Sequence, residues 1–185
     1  MIQTDLPILE DGDLRLRAAN INDVDGRLAL RNSPEIQHMF GLHPDECVPL
    51  NVAMAEDWVN SRMTMPYCWV VEYQSRLIGD TFFHNLNKVD RRGLLALGIL
   101  DPSLLGQGIG TRMLNLLLDH GFGAMGLHRI GLRVVEYNAR AIAAYKKVGF
   151  VIEGRERQSA RVGDVWHDDI IMGLLADDHA NARAA

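Results

Sequence analysis

The sequence is poor in the features that would commit it to a specialised class. It has only two cysteines in 185 residues, Cys47 and Cys68, and they are not spaced as C-x-x-C. The chain start, MIQTDLPILEDGD, has neither a basic segment nor an apolar one. Both features point to reduced thiols and a cytoplasmic location. No apolar run approaches the roughly 20 residues that a membrane helix needs, so no membrane partner is expected. Lys and Arg are scattered and the formal net charge is −5, which leaves no basic footprint for nucleic acid and suits a cationic partner better. His120, His128 and His167 lack metal-site spacing, and no metal is expected. Internal repeats and linkers are absent too.

What is present fits an ordinary folded domain. At 48% hydrophobic and 23% charged residues, the chain can bury one sizeable core. Residues 1–175 are expected to form a single domain, and the polar ADDHANARAA of 176–185 a frayed, disordered tail. LRLRAA (14–19) alternates as a half-buried strand does, and residues 20–40 hold two short helices, the second with Pro34 in its first turn. Val52, Ala55, Trp58, Val59 and Met63 share one face of a third helix. YCWVVEY, LIGDTFFH and LLALGIL form an antiparallel meander, and RIGLRVV is a later strand. NARAIAAYKKVG combines an Asn cap, helix formers, two Lys in the last turn and a stop glycine. FVIEGRER and DVWHDDIIMGLL close the sheet, and the strand–helix order of the second half implies a local parallel crossover.

The most unusual stretch is LLGQGIGTRML (104–114), with three glycines in five positions at the entrance to a helix marked by Met113, Leu114, Leu117, Leu118 and Phe122. A dinucleotide fold requires G-x-G-x-x-G near the first strand, and a nucleotide triphosphatase loop ends in Gly-Lys-Ser/Thr; neither pattern is met. Two readings stay open for these residues alone. Exposed N–H groups at a helix N-terminus can hold an anion such as a pyrophosphate, or the glycines can simply make a flexible turn.

The order strand, G-x-G-x-G, helix, strand, N-x-x-A-I-x-x-Y-x-x-x-G-F resembles the GNAT superfamily of acetyl-CoA-dependent N-acetyltransferases. LRLRAANINDVD, RLIGDTFFHNL, LGILDPSLLGQGIGTRML and WHDDIIMGLL look like its RimJ/RimL branch, the ribosomal-protein N-terminal acetyltransferases. The resemblance implies an α/β fold with helices flanking a mixed, mostly antiparallel sheet of about seven strands, splayed into a V. It implies that Leu105, Gly106, Gln107, Gly108, Ile109, Gly110 and Thr111 form the pyrophosphate loop. Ile99 and Leu100 would offer strand backbone to the pantetheine arm, Asn138 would contact the cofactor from the other side, and Tyr145 would place its hydroxyl near the thioester sulfur. From spacing alone, Asn138 is equally a helix cap and Tyr145 a core aromatic.

The chain departs from the pattern at Ala96, where many relatives carry a Glu suited to act as base. His84, Glu136 and Asp168 are the substitutes, against the plainer readings of a strand-end surface His and of solvated carboxylates. Glu35, Asp45, Glu46, Glu56 and Asp57 could draw a cation to an acceptor pocket between the N-terminal helices and the last strands, or form a solvated face. No G-x-S-x-G nucleophile setting occurs, which agrees with direct transfer. The expected function is transfer of acetyl from acetyl-CoA to a primary amine of a protein N-terminus, polyamine, amino sugar, amino acid or antibiotic. A non-catalytic acyl-CoA-binding sensor is the alternative. Monomer and homodimer are both open.

Overall fold

The computed structural model describes residues 6–184. A single eight-stranded sheet runs in the order β1-β2-β3-β4-β5-β6-β8-β7, where β1 is Leu9–Asp11, β2 Leu14–Arg17, β3 Cys68–Tyr73, β4 Arg76–Asn87, β5 Arg92–Ile99, β6 Arg129–Val135, β7 Val151–Val162 and β8 Val165–Leu175. All neighbours pair antiparallel except β5 and β6, which run parallel as the crossover required. The helices are α1 (Asp23–Leu30), α2 (Pro34–Met39), α3 (Val52–Thr64), α4 (Ile109–Phe122), α5 (Ala139–Lys147) and α6 (Ala176–Ala184). Among the described residues, no helix is long and apolar enough to cross a membrane.

Each face of the sheet is covered because its side chains alternate. On one face, Met113, Leu114, Leu117 and Leu118 of α4 are fully buried against Trp69, Phe83, Leu95, Ile130 and Leu132. Gly121 permits this closeness: a Cβ there would lie 2.8 Å from Ile130 and 3.0 Å from Phe83. On the other face α1 and α3 cover Val70 and Leu77 with Leu30, Trp58 and Met63, and α3 also buries Ala55 and Val59. This second layer is also tied by charge. Arg62 of α3 donates from Nε to Asp80 of β4 at 2.9 Å, and both Arg62 and Arg27 stack on Trp58.

Two elements differ from expectation. β1 is a three-residue strand that pairs with β2 around Gly12 and is held to α4 by Arg112, whose guanidinium bridges Asp11 and Asp13 at 2.7 and 2.8 Å. Residues 176–184, expected to be frayed, are helical as α6. The reason is tertiary: His179 is buried, meets Asp119 of α4 at 2.9 Å and packs its ring on Phe122.

Burial pushes the Asp80 carboxyl above its ordinary range even though Arg62 and Arg27 oppose the shift. Arg62→Met should therefore strand a buried carboxylate and lower the unfolding free energy by about 3 kcal/mol, the low end for removing one partner of such a pair, in urea titrations at pH 7. The loss of Arg62 raises the folded-state pKa further, and a raised carboxyl stabilises the fold only while protonated. The deficit should accordingly shrink as pH is lowered toward 4. A deficit independent of pH would contradict this assignment.

Candidate active site

The site starts from a break in the sheet. β5 and β6 pair only at Arg92 with Arg129, Gly93 with Ile130 and Leu94 with Gly131. Beyond these pairs β5 keeps its ladder with β4 as far as Ile99, and β6 keeps its ladder with β8 as far as Val135. The two arms thus part into a V. Leu100 donates its N–H to Ile78 on β4 at 2.7 Å, so the alternation of the strand turns the main-chain groups of Leu95, Leu97 and Ile99 toward the gap.

The glycine loop lies where β5 ends, at the open end of this V. A 3₁₀ turn over Pro102–Leu104, capped by Asp101, leads through Leu105 into the loop, and Gln107 donates to the Ser103 carbonyl at 2.6 Å. Gly106 and Gly108 take φ of 75° and 80°, the left-handed region that costs a side chain roughly 1–2 kcal/mol. Gly108 is the N-cap of α4 and no side chain caps that helix. Arg112 donates its N–H to the Gly108 carbonyl, leaving the N–H groups of Ile109, Gly110 and Thr111 without an intrahelical acceptor. A Cβ on Gly106 or Gly108 would meet no heavy atom within 4 Å, so the loop faces open space. An uncapped helix start beside open space fits a pyrophosphate, and the adjoining strand edge fits the amides of a pantetheine arm.

Across the gap stands α5. Asn138 is its N-cap, accepting from the Ala141 N–H at 3.1 Å, and its amide NH₂ donates to the Met39 carbonyl at 3.2 Å. Both ends of this side chain are thereby engaged as a cap and as a tie to α2. Tyr145 is 9% exposed, with its ring edge-on to Phe150, and burial pushes its hydroxyl up to about 12.

The three candidate bases have different fates. Glu136 is held on both oxygens: Arg155 donates to one at 2.7 Å and the Asp168 N–H to the other at 3.2 Å. Asp168 shares the same guanidinium at 2.8 Å, which holds its carboxyl below the ordinary range. His84 is exposed on β4 opposite Leu94, two residues along from the Phe82–Ala96 pair and on the same face. Partial burial and the charge of Arg133 lower its pKa from 6.5, which keeps its ring neutral at pH 7.

Several further residues meet at the site through tertiary contacts. Tyr137 stacks on His38 at 4.5 Å, meets His167 edge-on at 4.8 Å, and donates its hydroxyl to the His38 carbonyl at 2.7 Å. Arg133 shares the α2-side face of β6 with Val135 and reaches Asp169 and Glu156, each at 3.3 Å. Asp169 is 4% exposed and accepts from the Ser159 hydroxyl at 2.9 Å. These contacts cross long stretches of sequence and follow no local spacing. Of the five carboxylates expected near an acceptor, Glu35 pairs with Arg140 of α5 at 3.3 Å. Among the described residues, no three His, Cys, Asp or Glu side chains group as a metal site.

Comparison with known proteins agrees with this geometry. Residues 13–151 match the family described as Acetyltransferase (GNAT) domain. Spermidine N(1)-acetyltransferase of Escherichia coli is 35% identical over 107 residues, 58% of this chain and 57% of that protein. The chain thus spans little more than half the length of that relative. The uncharacterized N-acetyltransferase YoaA of Bacillus subtilis is 28% identical over 172 residues, covering 91% of this chain and 97% of its own. The crystal structure of spermidine N-acetyltransferase from Vibrio cholerae, solved with CoA and spermine, is 26% identical, with a TM-score of 0.75 over 92% of this chain and all of that one.

Gly108 and Gly126 form a matched pair for testing the loop, since both have positive φ and open space at Cβ. Replacing either with Ala should cost about 1 kcal/mol of stability. Only Gly108→Ala should also reduce the rise in Tm produced by millimolar coenzyme A, read by thermal shift. Equal coenzyme A responses in the two variants would remove the loop from cofactor binding.

Proposed function

The chain belongs to the GNAT acetyltransferase family, and from that premise we propose that it transfers acetyl from acetyl-CoA directly to a primary amine of a small polyamine-like acceptor. The observation that carries the transfer reading is the unpaired edge of β5 leading straight into the uncapped, glycine-opened start of α4. The acceptor class is supported by charge and by likeness. Arg133 is shared by two carboxylates, Asp169 and Glu156, and Arg155 likewise by Glu136 and Asp168. Spermidine acetyltransferases are among the relatives, and the net charge of −5 draws cations from a distance.

Acetyl-CoA supplies a thioester whose carbonyl carbon accepts the amine and whose sulfur departs as a thiolate. Gly106 to Thr111 hold its pyrophosphate by main-chain N–H groups, with the dipole of α4 adding to the attraction. The N–H groups of Leu97 and Ile99 turn toward the gap and hold the carbonyl oxygen as negative charge develops on it. His84, neutral at working pH and on the strand face that bears Ala96, takes the proton of the incoming ammonium. Glu136 serves the acceptor side as a fixed charge, since Arg155 and the Asp168 N–H occupy its oxygens. Tyr145 gives its proton to the thiolate; with a pKa near 12 the hydroxyl stays protonated across the working range. A thiol is only moderately basic, with a free pKa of about 8.5, so the help needed from Tyr145 is limited.

Three measurements test this reading. An amine panel with free-thiol detection should show turnover of spermidine and putrescine above that of amino acids, amino sugars and peptides beginning with Ala or Ser. Tyr145→Phe should lower kcat by about 10²-fold while leaving coenzyme A affinity nearly unchanged. On the acid side, kcat/KM should rise with pH as His84 loses its proton, with a midpoint below 6.5, and His84→Gln should abolish that limb. Tight coenzyme A binding with no turnover of any amine would replace the transferase by the acyl-CoA sensor.

A further inference from the structure

The strap that follows α2 crosses the acceptor side of the V and is fastened at both arms. On the β6 and α5 arm, Tyr137 and Asn138 take the last carbonyls of α2, those of His38 and Met39. Gly41 lies against Val135 on β6, where its φ of 82° lets the chain turn away, and beyond it His43 touches the hairpin tip at Gly163. On the β5 arm the fastening is a single side chain. The ring of Phe40 sits over Gly98, so that a Cβ at residue 98 would lie 2.7 Å from the ring tip. Gly98 is next to Leu97 and Ile99, the residues whose main chain faces the gap. Phe40 is nevertheless 52% exposed, which is more than a packing role requires of a large apolar ring.

We propose that Phe40, keyed onto Gly98, is a specificity-determining residue: it narrows the acceptor entrance to slender, unbranched amines and shields the thioester from water. This inference rests on the transferase reading above. The ring reaches from the fixed end of α2 to the C-terminal end of β5, so an acceptor approaching Leu97 passes along it. The fit depends on residue 98 having no side chain, because any Cβ displaces the ring from its seat. Phe40 contributes little to the core, so its removal acts on the entrance more than on the fold.

The test compares kcat/KM for putrescine with that for a branched and an aryl amine, alongside amine-free hydrolysis of acetyl-CoA. Phe40→Ala should shift the ratio toward bulky amines by about tenfold or more, chiefly through the KM of the amine, and should raise hydrolysis while the KM for acetyl-CoA stays put. Phe40→Leu should restore most of the ratio. Gly98→Ala should mimic Phe40→Ala, and the double variant should add nothing further, as expected for two residues that act through one contact. A merely structural role would move Tm and leave the ratio alone. Unchanged ratios and hydrolysis in active Phe40→Ala and Gly98→Ala proteins, or additive effects in the double variant, overturn the inference while leaving the transferase intact. A wild type that acetylates no amine overturns both.

Discussion

The parting of β5 from β6 after the Leu94–Gly131 pair is the constraint on which the rest of the molecule depends. A strand interior with unpaired main chain is costly when buried, since each orphaned N–H or C=O forfeits a hydrogen bond. The fold keeps those groups of β5 unpaired and accessible while holding the strand straight from its other side, where β4 pairs with it as far as Ile99. The far arm is made rigid in the same way by β8. The opening is therefore a stable feature of two well-paired half-sheets. The glycine loop then extends the same polar surface, from strand edge to helix start, without an intervening side chain.

Charge on the acceptor side is arranged differently from charge in the core layer. Asp80 and Arg62 form one buried pair that locks α3 to the sheet, with Trp58 beneath the guanidinium. On the second arm Arg133 and Arg155 are instead each divided between two carboxylates, and their guanidiniums lie near water. A divided guanidinium fixes the positions of both carboxylates and neutralises only one of them.

Much of the fold and half of the site were legible in the sequence because their signals are local. The α4 entrance shows as three glycines, α5 as a cap, a helix-forming run and a stop, and the meander as alternating strands. Direct reading failed where tertiary contact decides. β1 has three residues, too few for periodicity to register, and it exists because Arg112 of α4 holds its hairpin. α6 looked like a frayed tail and is helical because His179 finds Asp119 and Phe122. Tyr137 and His38, 99 residues apart, could be joined only by the fold. Asn138 is the helix cap its position implied, but its tie to Met39 is a property of how α2 crosses the V. Ala96 reads in sequence as a missing base, and only the register of β4 shows that His84 shares its face.

The helix α5 joins the two halves of the chemistry. The two residues before it hold the strap, through the hydroxyl of Tyr137 and the amide of Asn138, while Tyr145 lies about two turns along the helix, roughly 10 Å from Asn138 at 1.5 Å per residue. A helix of this length is stiff, so a shift of the strap that pulls on His38 and Met39 acts on the segment that carries Tyr145. Phe150, edge-on to the Tyr145 ring, and the buried tyrosine itself resist such movement from the core side. In the proposed mechanism the acceptor entrance and Tyr145 would thus be fixed to one body, and the opposing wall, β5, to another. Each body is fixed by its own half-sheet, and the ring of Phe40 reaches from the strap to Gly98 on β5.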